Sequence, residues 1–241
     1  MNILRLETTD STNTWVARNE DRLETPSLVY CITQSAGRGQ RGNYWESEPG
    51  KNITASLLFH PQDFPANDQF RISEAVAIAI VDYFSEKGVM AKVKWPNDIY
   101  VGDQKICGIL VEHVVTGKNI SRTIAGFGIN LNQEEFHSDA PNPVSLVQIT
   151  GEKYELEKEI EKVAVQLGNR LSRLDDPTLH HDFMKLLWRN DGELHPFYDR
   201  KNDERISAKI LSVAPEGIIS LVTDKGETRN YAFKEIEFIL E

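Results

Sequence analysis

Cysteine is nearly missing from this chain: two of 241 residues, Cys31 and Cys107. Each lies inside an apolar run, LVYCIT and KICGIL, so buried reduced thiols are expected rather than a disulfide framework. No CxxC or HExxH spacing occurs, which leaves a zinc site without support. The six histidines are scattered, and the adjacent His180 and His181 point in different directions on a helix; all read as surface or satisfied core residues. No apolar run is long enough to cross a bilayer, and the opening MNILRLE lacks the regions of a signal peptide. A cytoplasmic protein without a membrane partner is expected. Positive charge is also in short supply. With 27 Lys and Arg against 37 Asp and Glu, the formal net charge is −10. A globally acidic chain is a poor non-specific DNA binder, so any task that needs cations must gather them locally. Repeats and low-complexity tracts are absent, while a hydrophobic share of 40% suffices for a core.

The patterning that is present predicts alternating strands and helices. Residues 2–7 read as a strand, and Asp10-Ser11-Thr12-Asn13 offers a cap for a short helix. Residues 27–33 and 52–59 read as strands. From Asn67 to Lys87, Phe70, Ala75, Ala77, Ile78, Val81, Tyr83 and Phe84 make a broad apolar helical face, with Gly88 placed to end it. Strands at 91–95, 98–101, 105–115 and 120–131 are joined by tight turns, which implies antiparallel pairing and an α+β sheet with helices on one side. A strongly amphipathic helix spans 155–174, and Asp176-Pro177 opens another to about Arg189. Beyond Asn190-Asp191-Gly192, short strands at 204–213, 217–223, 227–233 and 235–240 predict a small all-β appendage, a barrel.

Two segments carry chemistry. Gly37-Arg38-Gly39-Gln40-Arg41-Gly42, followed by Trp45, formally matches a dinucleotide-binding fingerprint. That reading needs a helix to begin inside the motif, and the following NYWESEPG turns instead. No HRD or DFG segment supports a kinase loop. What remains is either an ordinary surface loop or a glycine-rich loop with two guanidiniums that grips an anion, and the ordering entropy of three glycines favours the second. The other segment is Lys94-Trp95-Pro96-Asn97-Asp98 with Lys105-Ile106-Cys107-Gly108-Ile109-Leu110-Val111-Glu112. Two lysines and an Asn-Asp pair surround one hairpin, although each taken alone could be a turn or solvated residue. Gly126-Phe127-Gly128-Ile129-Asn130 ends a strand with glycines that mark either a bulge or a close approach to the backbone.

Taken together, the Ser-Thr-Asn opening, the stretch from Gln34 to Trp45, KWPNDIYVGDQKICGILVE, GFGIN and the β appendage resemble the biotin protein ligase family, in the family's order and over nearly the whole chain. The resemblance implies a class II synthetase-like catalytic domain over residues 1–190, built on a mixed, mostly antiparallel sheet, and an SH3-like domain over 191–241. It implies an ATP-dependent enzyme that activates biotin as biotinyl-5′-AMP and passes it to a lysine of a biotin carboxyl carrier protein domain. Ser11, Thr12, Asn13 and Gln34 would surround the biotin head. Gly37, Arg38, Gly39 and Gln40 would close over biotin, and Gly108, Gly126 and Gly128 would let the backbone approach it. Lys105 would reach the biotin carboxylate and the α-phosphate, and with Arg38 would be catalytic. Arg38, Arg41, Trp45, Lys94, Asn97, Lys105 and Asn130 would lie on the nucleotide side. Asp98 would face Mg²⁺, with Glu112 a weaker alternative. Gln40 stands where some relatives carry arginine, and Asn43 where some carry a basic residue. With a strand starting at residue 2, no helix-turn-helix domain and no DNA partner are expected. A monomer or homodimer is equally compatible. A lipoate or octanoate ligase or transferase is the neighbouring reading, and a non-catalytic biotin sensor the reading from another class.

Overall fold

The computed structural model describes residues 1–40, 43–138, 140 and 142–240. The chain opens with β1 (Asn2–Thr9), crosses over through α1 (Thr12–Asn19) and returns as β2 (Ser27–Gln34), parallel to β1. The helical crossover makes the parallel pairing possible. All the other pairs of this sheet are antiparallel. They involve β3 (Ile53–Phe59), β4 (Ala91–Lys94), β5 (Asp98–Val101), β6 (Gln104–Thr116) and β7 (Asn119–Ile129). The strand order is β1-β2-β3-β7-β6-β5-β4.

Alternation divides the sheet into two faces. Leu28, Tyr30, Ala55, Leu57, Ile109, Ala125, Phe127 and Ile129 face the main core, covered by α2 (Gln69–Ser85), α4 (Leu156–Leu171) and α5 (Leu179–Leu186). Twelve of the seventeen α2 residues are buried, among them the unbroken apolar run from Ala75 to Val81. The opposite face carries a small cluster of Val16, Val29, Leu58 and Ile124, where α1 packs. Much of the rest of that face, on β3, β7, β6 and β5, is polar or glycine, with Leu110 an apolar exception. No helix among the described residues is long and apolar enough to cross a membrane.

The second sheet comprises β8 (His195–Asp199), β9 (Glu204–Val213), β10 (Ile219–Thr223), β11 (Thr228–Tyr231) and β12 (Ile236–Phe238), in the order β11-β10-β9-β8-β12 and antiparallel throughout. This is the small β appendage that the turn spacing predicts. Its apolar residues, Phe197, Leu221 and Ile236 among them, join the same continuous core as the first sheet. The indole N–H of Trp95 donates to the Gly217 carbonyl at 3.1 Å, and Phe233 packs against both Trp95 and Phe70.

Three local expectations change. The helix expected from Asp176 to Arg189 covers only Leu179–Leu186. Asp176 closes a turn, accepting from the backbone N–H and hydroxyl of Thr178 at 2.9 and 2.7 Å. At the other end Leu187 becomes extended, and the Trp188 N–H donates to the Val93 carbonyl, so pairing with the edge of β4 wins over another helical turn. The short helix α3 (Leu146–Thr150), with its Ser145–Gln148 capping box, and strand β8 were not anticipated.

Candidate active site

The face of the sheet opposite the main core is floored by cross-strand rows. Thr54, Gly128, Gly108, Asp98 and Lys94 are successive neighbours across β3, β7, β6, β5 and β4. Ser56, Gly126 and Leu110 form the adjoining row. Missing side chains leave a trough, and other parts of the chain descend into it. A Cβ at Gly126 would run into the Asn13 amide. One at Gly128 would lie 2.6 Å from Cζ2 of Trp45, and one at Gly108 would lie 2.9 Å from its Cζ3. The strand glycines therefore serve close approach by Asn13 and Trp45, which settles the choice left open between bulge and close contact.

A chain of hydrogen bonds runs along one end of the trough. Ser11 takes the N-cap position of α1 yet makes no capping bond, which leaves its hydroxyl to line the cleft. Gln34 does the capping instead: its Oε1 accepts the Thr12 N–H at 2.9 Å, and its Nε2 has no partner among the described residues. The Ser56 hydroxyl bridges Thr12 Oγ1 (2.7 Å) and Asn13 Oδ1 (2.5 Å). Asn13 Nδ2 donates to Glu112 Oε2 at 2.8 Å, and Arg38 donates to Glu112 Oε1 at 2.9 Å. Ser11, Thr12, Asn13 and Ser56 are all buried. Polar groups removed from water need such partners. The result is a rigid lining of alternating donors and acceptors.

The other end is cationic. Lys105 Nζ lies 2.8 Å from Asp98 Oδ1 and 5.6 Å from the centre of the Trp45 ring. The Lys105 backbone is held by Asn142, whose carbonyl accepts its N–H at 2.8 Å. The buried indole N–H of Trp45 has no partner among the described residues. Arg38, Lys105, Ser11, Thr12, Asn13, Gln34, Gly39, Trp45, Asn97, Gly108, Gly126 and Gly128 all line one hollow.

Other expected residues fall outside this hollow. Gln40 lies between two neighbouring hollows, one beside Phe70 and His113 and one beside Lys94 and Phe238. Lys94 turns toward the second sheet, its ammonium over the rings of Tyr100 (5.0 Å) and Phe238 (5.6 Å). Burial pushes that ammonium below its usual range, with the nearby Asp98 opposing the shift. Asn130 is buried and braces the 144 loop, donating to the Val144 carbonyl at 3.0 Å. Gly37 stands at the hollow's edge, where a Cβ would strike the Trp45 carbonyl. Arg41 lies outside the described residues. Asp98 meets Lys105 rather than other acids, and no group of three or more metal-ligating side chains occurs among the described residues. A single carboxylate at the Lys105 end suits an ion that arrives with a nucleotide's phosphates. Sequence reasoning missed Thr54 and Ser56. Their signal was the polar alternation in the otherwise apolar ITASLLF.

A glycine-floored trough with a polar pocket at one end and an ammonium at the other, set on an α+β sheet, suits an elongated ligand with a neutral head and an anionic tail. Residues 6–130 match the sequence profile of the biotin/lipoate A/B protein ligase family, and the chain belongs to that family. It is 30% identical over 216 residues to the bifunctional ligase/repressor BirA of Bacillus subtilis, covering 86% of this chain and 64% of the relative. The chain thus spans somewhat less than two thirds of that protein's length. It is also 30% identical over 177 residues to the biotin–[acetyl-CoA-carboxylase] ligase of Paracoccus denitrificans, covering 70% and 73% of the two chains. Among solved structures, the biotin protein ligase from Aquifex aeolicus in complex with biotin and ATP superposes with a TM-score of 0.79 at 20% identity, covering 100% and 99% of the chains. That likeness establishes the fold, including the second sheet.

Proposed function

We propose that this protein is an ATP-dependent biotin protein ligase, which activates biotin as its acyl-adenylate and transfers it to a lysine of a biotin carboxyl carrier protein domain. The observation that carries this reading is the single cleft lined by both Arg38 and Lys105, with a neutral hydrogen-bonding pocket at one end. Biotin has a matching shape: a ureido head with donors and an acceptor, and a carboxylate at the far end of an apolar chain. Ser11, Thr12, Asn13 and the Nε2 of Gln34 would bind the head. A plain acyl chain or a dithiolane would offer no partner to the Ser11 hydroxyl and Gln34 Nε2, which disfavours octanoate and lipoate.

In the first step a carboxylate oxygen of biotin attacks the α-phosphorus of ATP, and the bond to the pyrophosphate oxygen breaks. Lys105 stabilises the negative charge that this brings together, and its pairing with Asp98 holds the ammonium in place beforehand. Magnesium bound to the triphosphate would lower its charge, with Asp98 the residue placed to meet it. In the second step the neutral amine of the acceptor lysine attacks the acyl carbon. The acyl–oxygen bond to AMP breaks, and the amine loses a proton. AMP is a far better leaving group than the oxide that a free carboxylate would have to expel. The loop bearing Arg38 and Gly39 would keep water from the mixed anhydride.

Mass spectrometry of the protein mixed with biotin and MgATP tests the reading: an acyl-adenylate should appear, followed by biotinylation of an added carrier domain. Activation of lipoate or octanoate in place of biotin would overturn it.

A further inference from the structure

The Arg38–Glu112 contact does more than neutralise two charges. Arg38 belongs to the glycine-rich segment over the cleft, whereas Glu112 lies on β6, at the outer end of the floor. The same carboxylate also accepts from Asn13, whose other amide atom is fixed by Ser56. A second guanidinium nitrogen of Arg38 reaches the Thr14 hydroxyl at 3.4 Å. Within the glycine-rich segment, Gly39 and Asn43 bond to each other through the Gly39 N–H (2.7 Å), and the Trp45 N–H returns to the Gly37 carbonyl at 3.0 Å. Glu112 is the acid on the sheet that Arg38 grips.

We propose that Glu112 is a positioning residue that latches the loop over the cleft, and that its double contact ties the lid to the floor of the polar pocket. This rests on the functional reading above and assigns a role to a carboxylate outside the cleft lining itself. Both partners are part-exposed, with side chains 46% and 39% accessible. The latch is therefore weak enough to open for substrates, and salt screens it. Its opening with the adenylate bound lets water add to the acyl carbon. The acyl–oxygen bond then breaks to give biotin and AMP, and pyrophosphate has been released without a biotinylated carrier.

Glu112→Gln removes the charge while keeping an oxygen able to accept from Asn13. Two measurements test the latch. In the ligand-free protein, tryptic cleavage after Arg38 should accelerate about two- to fivefold in the variant, the range an exposed ion pair can carry. Raising salt from about 20 mM to about 500 mM should speed cleavage of the wild type but not of the variant. In turnover, pyrophosphate released per carrier biotinylated should rise by a similar factor, with the KM for biotin changing less than this ratio. Glu112→Asp, which keeps the charge, should restore part of the coupling. If Glu112→Gln melts early, the salt dependence of the wild type alone decides. Equal cleavage of wild type and a folded variant, or a wild type indifferent to salt, overturns the latch. A wild type that makes no adenylate overturns the functional reading instead, and leaves the cleavage comparison intact.

Discussion

At the level of single residues, the cleft depends on groups whose loss leaves the fold standing. Lys105→Ala should lower adenylate formation about 10²- to 10³-fold, the effect of removing one preorganised charge-stabilising group. Because Lys105 and Asp98 are partly exposed, thermal stability should change little. Pyrophosphate release measured beside a melting curve separates the two effects, and near-normal turnover would remove Lys105 from its role. Gly128→Ala acts by shape. Its new methyl group would drive the Trp45 indole off the floor, at an overpacking cost of about 1–3 kcal/mol. Biotin and ATP should both bind more weakly by calorimetry, while Gly117→Ala, in a turn with open space around it, should leave ligand binding alone.

At the level of elements, α2 is tied to α4 by a buried ionic knot. Glu159 accepts from Tyr83 (2.7 Å) and Lys162 (2.8 Å) and pairs with Lys87, whose ammonium also lies over the rings of Tyr83 and Tyr154. Burial opposes ionisation of Glu159, but the bonds from Lys162, Lys87 and Tyr83 outweigh it and hold the carboxyl below its ordinary value of 4.5. A carboxylate with a depressed value stabilises the fold fully above that ordinary value and loses the contribution as pH falls through the depressed one. Glu159→Gln should thus cost about 3–5 kcal/mol near neutral pH, since Lys87 is left buried without its partner. The gap from the wild type should narrow below about pH 4.5, a trend that melting curves across pH would reveal. This knot was invisible in sequence, where Lys87 and Glu159 are merely charges on two amphipathic helices. The same limit explains the other surprises. Periodicity identified α2, α4 and most strands because it is local. The parallel pairing of β1 with β2, the early end of α5 at Leu186 and the engagement of Glu112 all depend on partners distant in the chain. Thr54 and Ser56 were legible in principle. Trp45 resting on Gly108 and Gly128 was not, because neither glycine names the side chain that fills its space.

For the whole molecule, the two sheets share one apolar core, and Trp95 is its rivet. Trp95→Phe keeps most of the packing but strands the Gly217 carbonyl, at a cost of about 1–3 kcal/mol. Urea unfolding followed by far-UV dichroism should remain a single transition with a lower midpoint. Separate transitions for the two sheets in the wild type would refute the shared core. The placement of β1 and β12 has a practical corollary. The last strand finishes beside Lys94, with Phe238 and Leu240 walling the hollow next to the cleft, whereas β1 forms the opposite margin of the large sheet. A bulky label on Leu240 would crowd that hollow and reach toward the cleft, whereas one on β1 would sit at the far margin of the sheet.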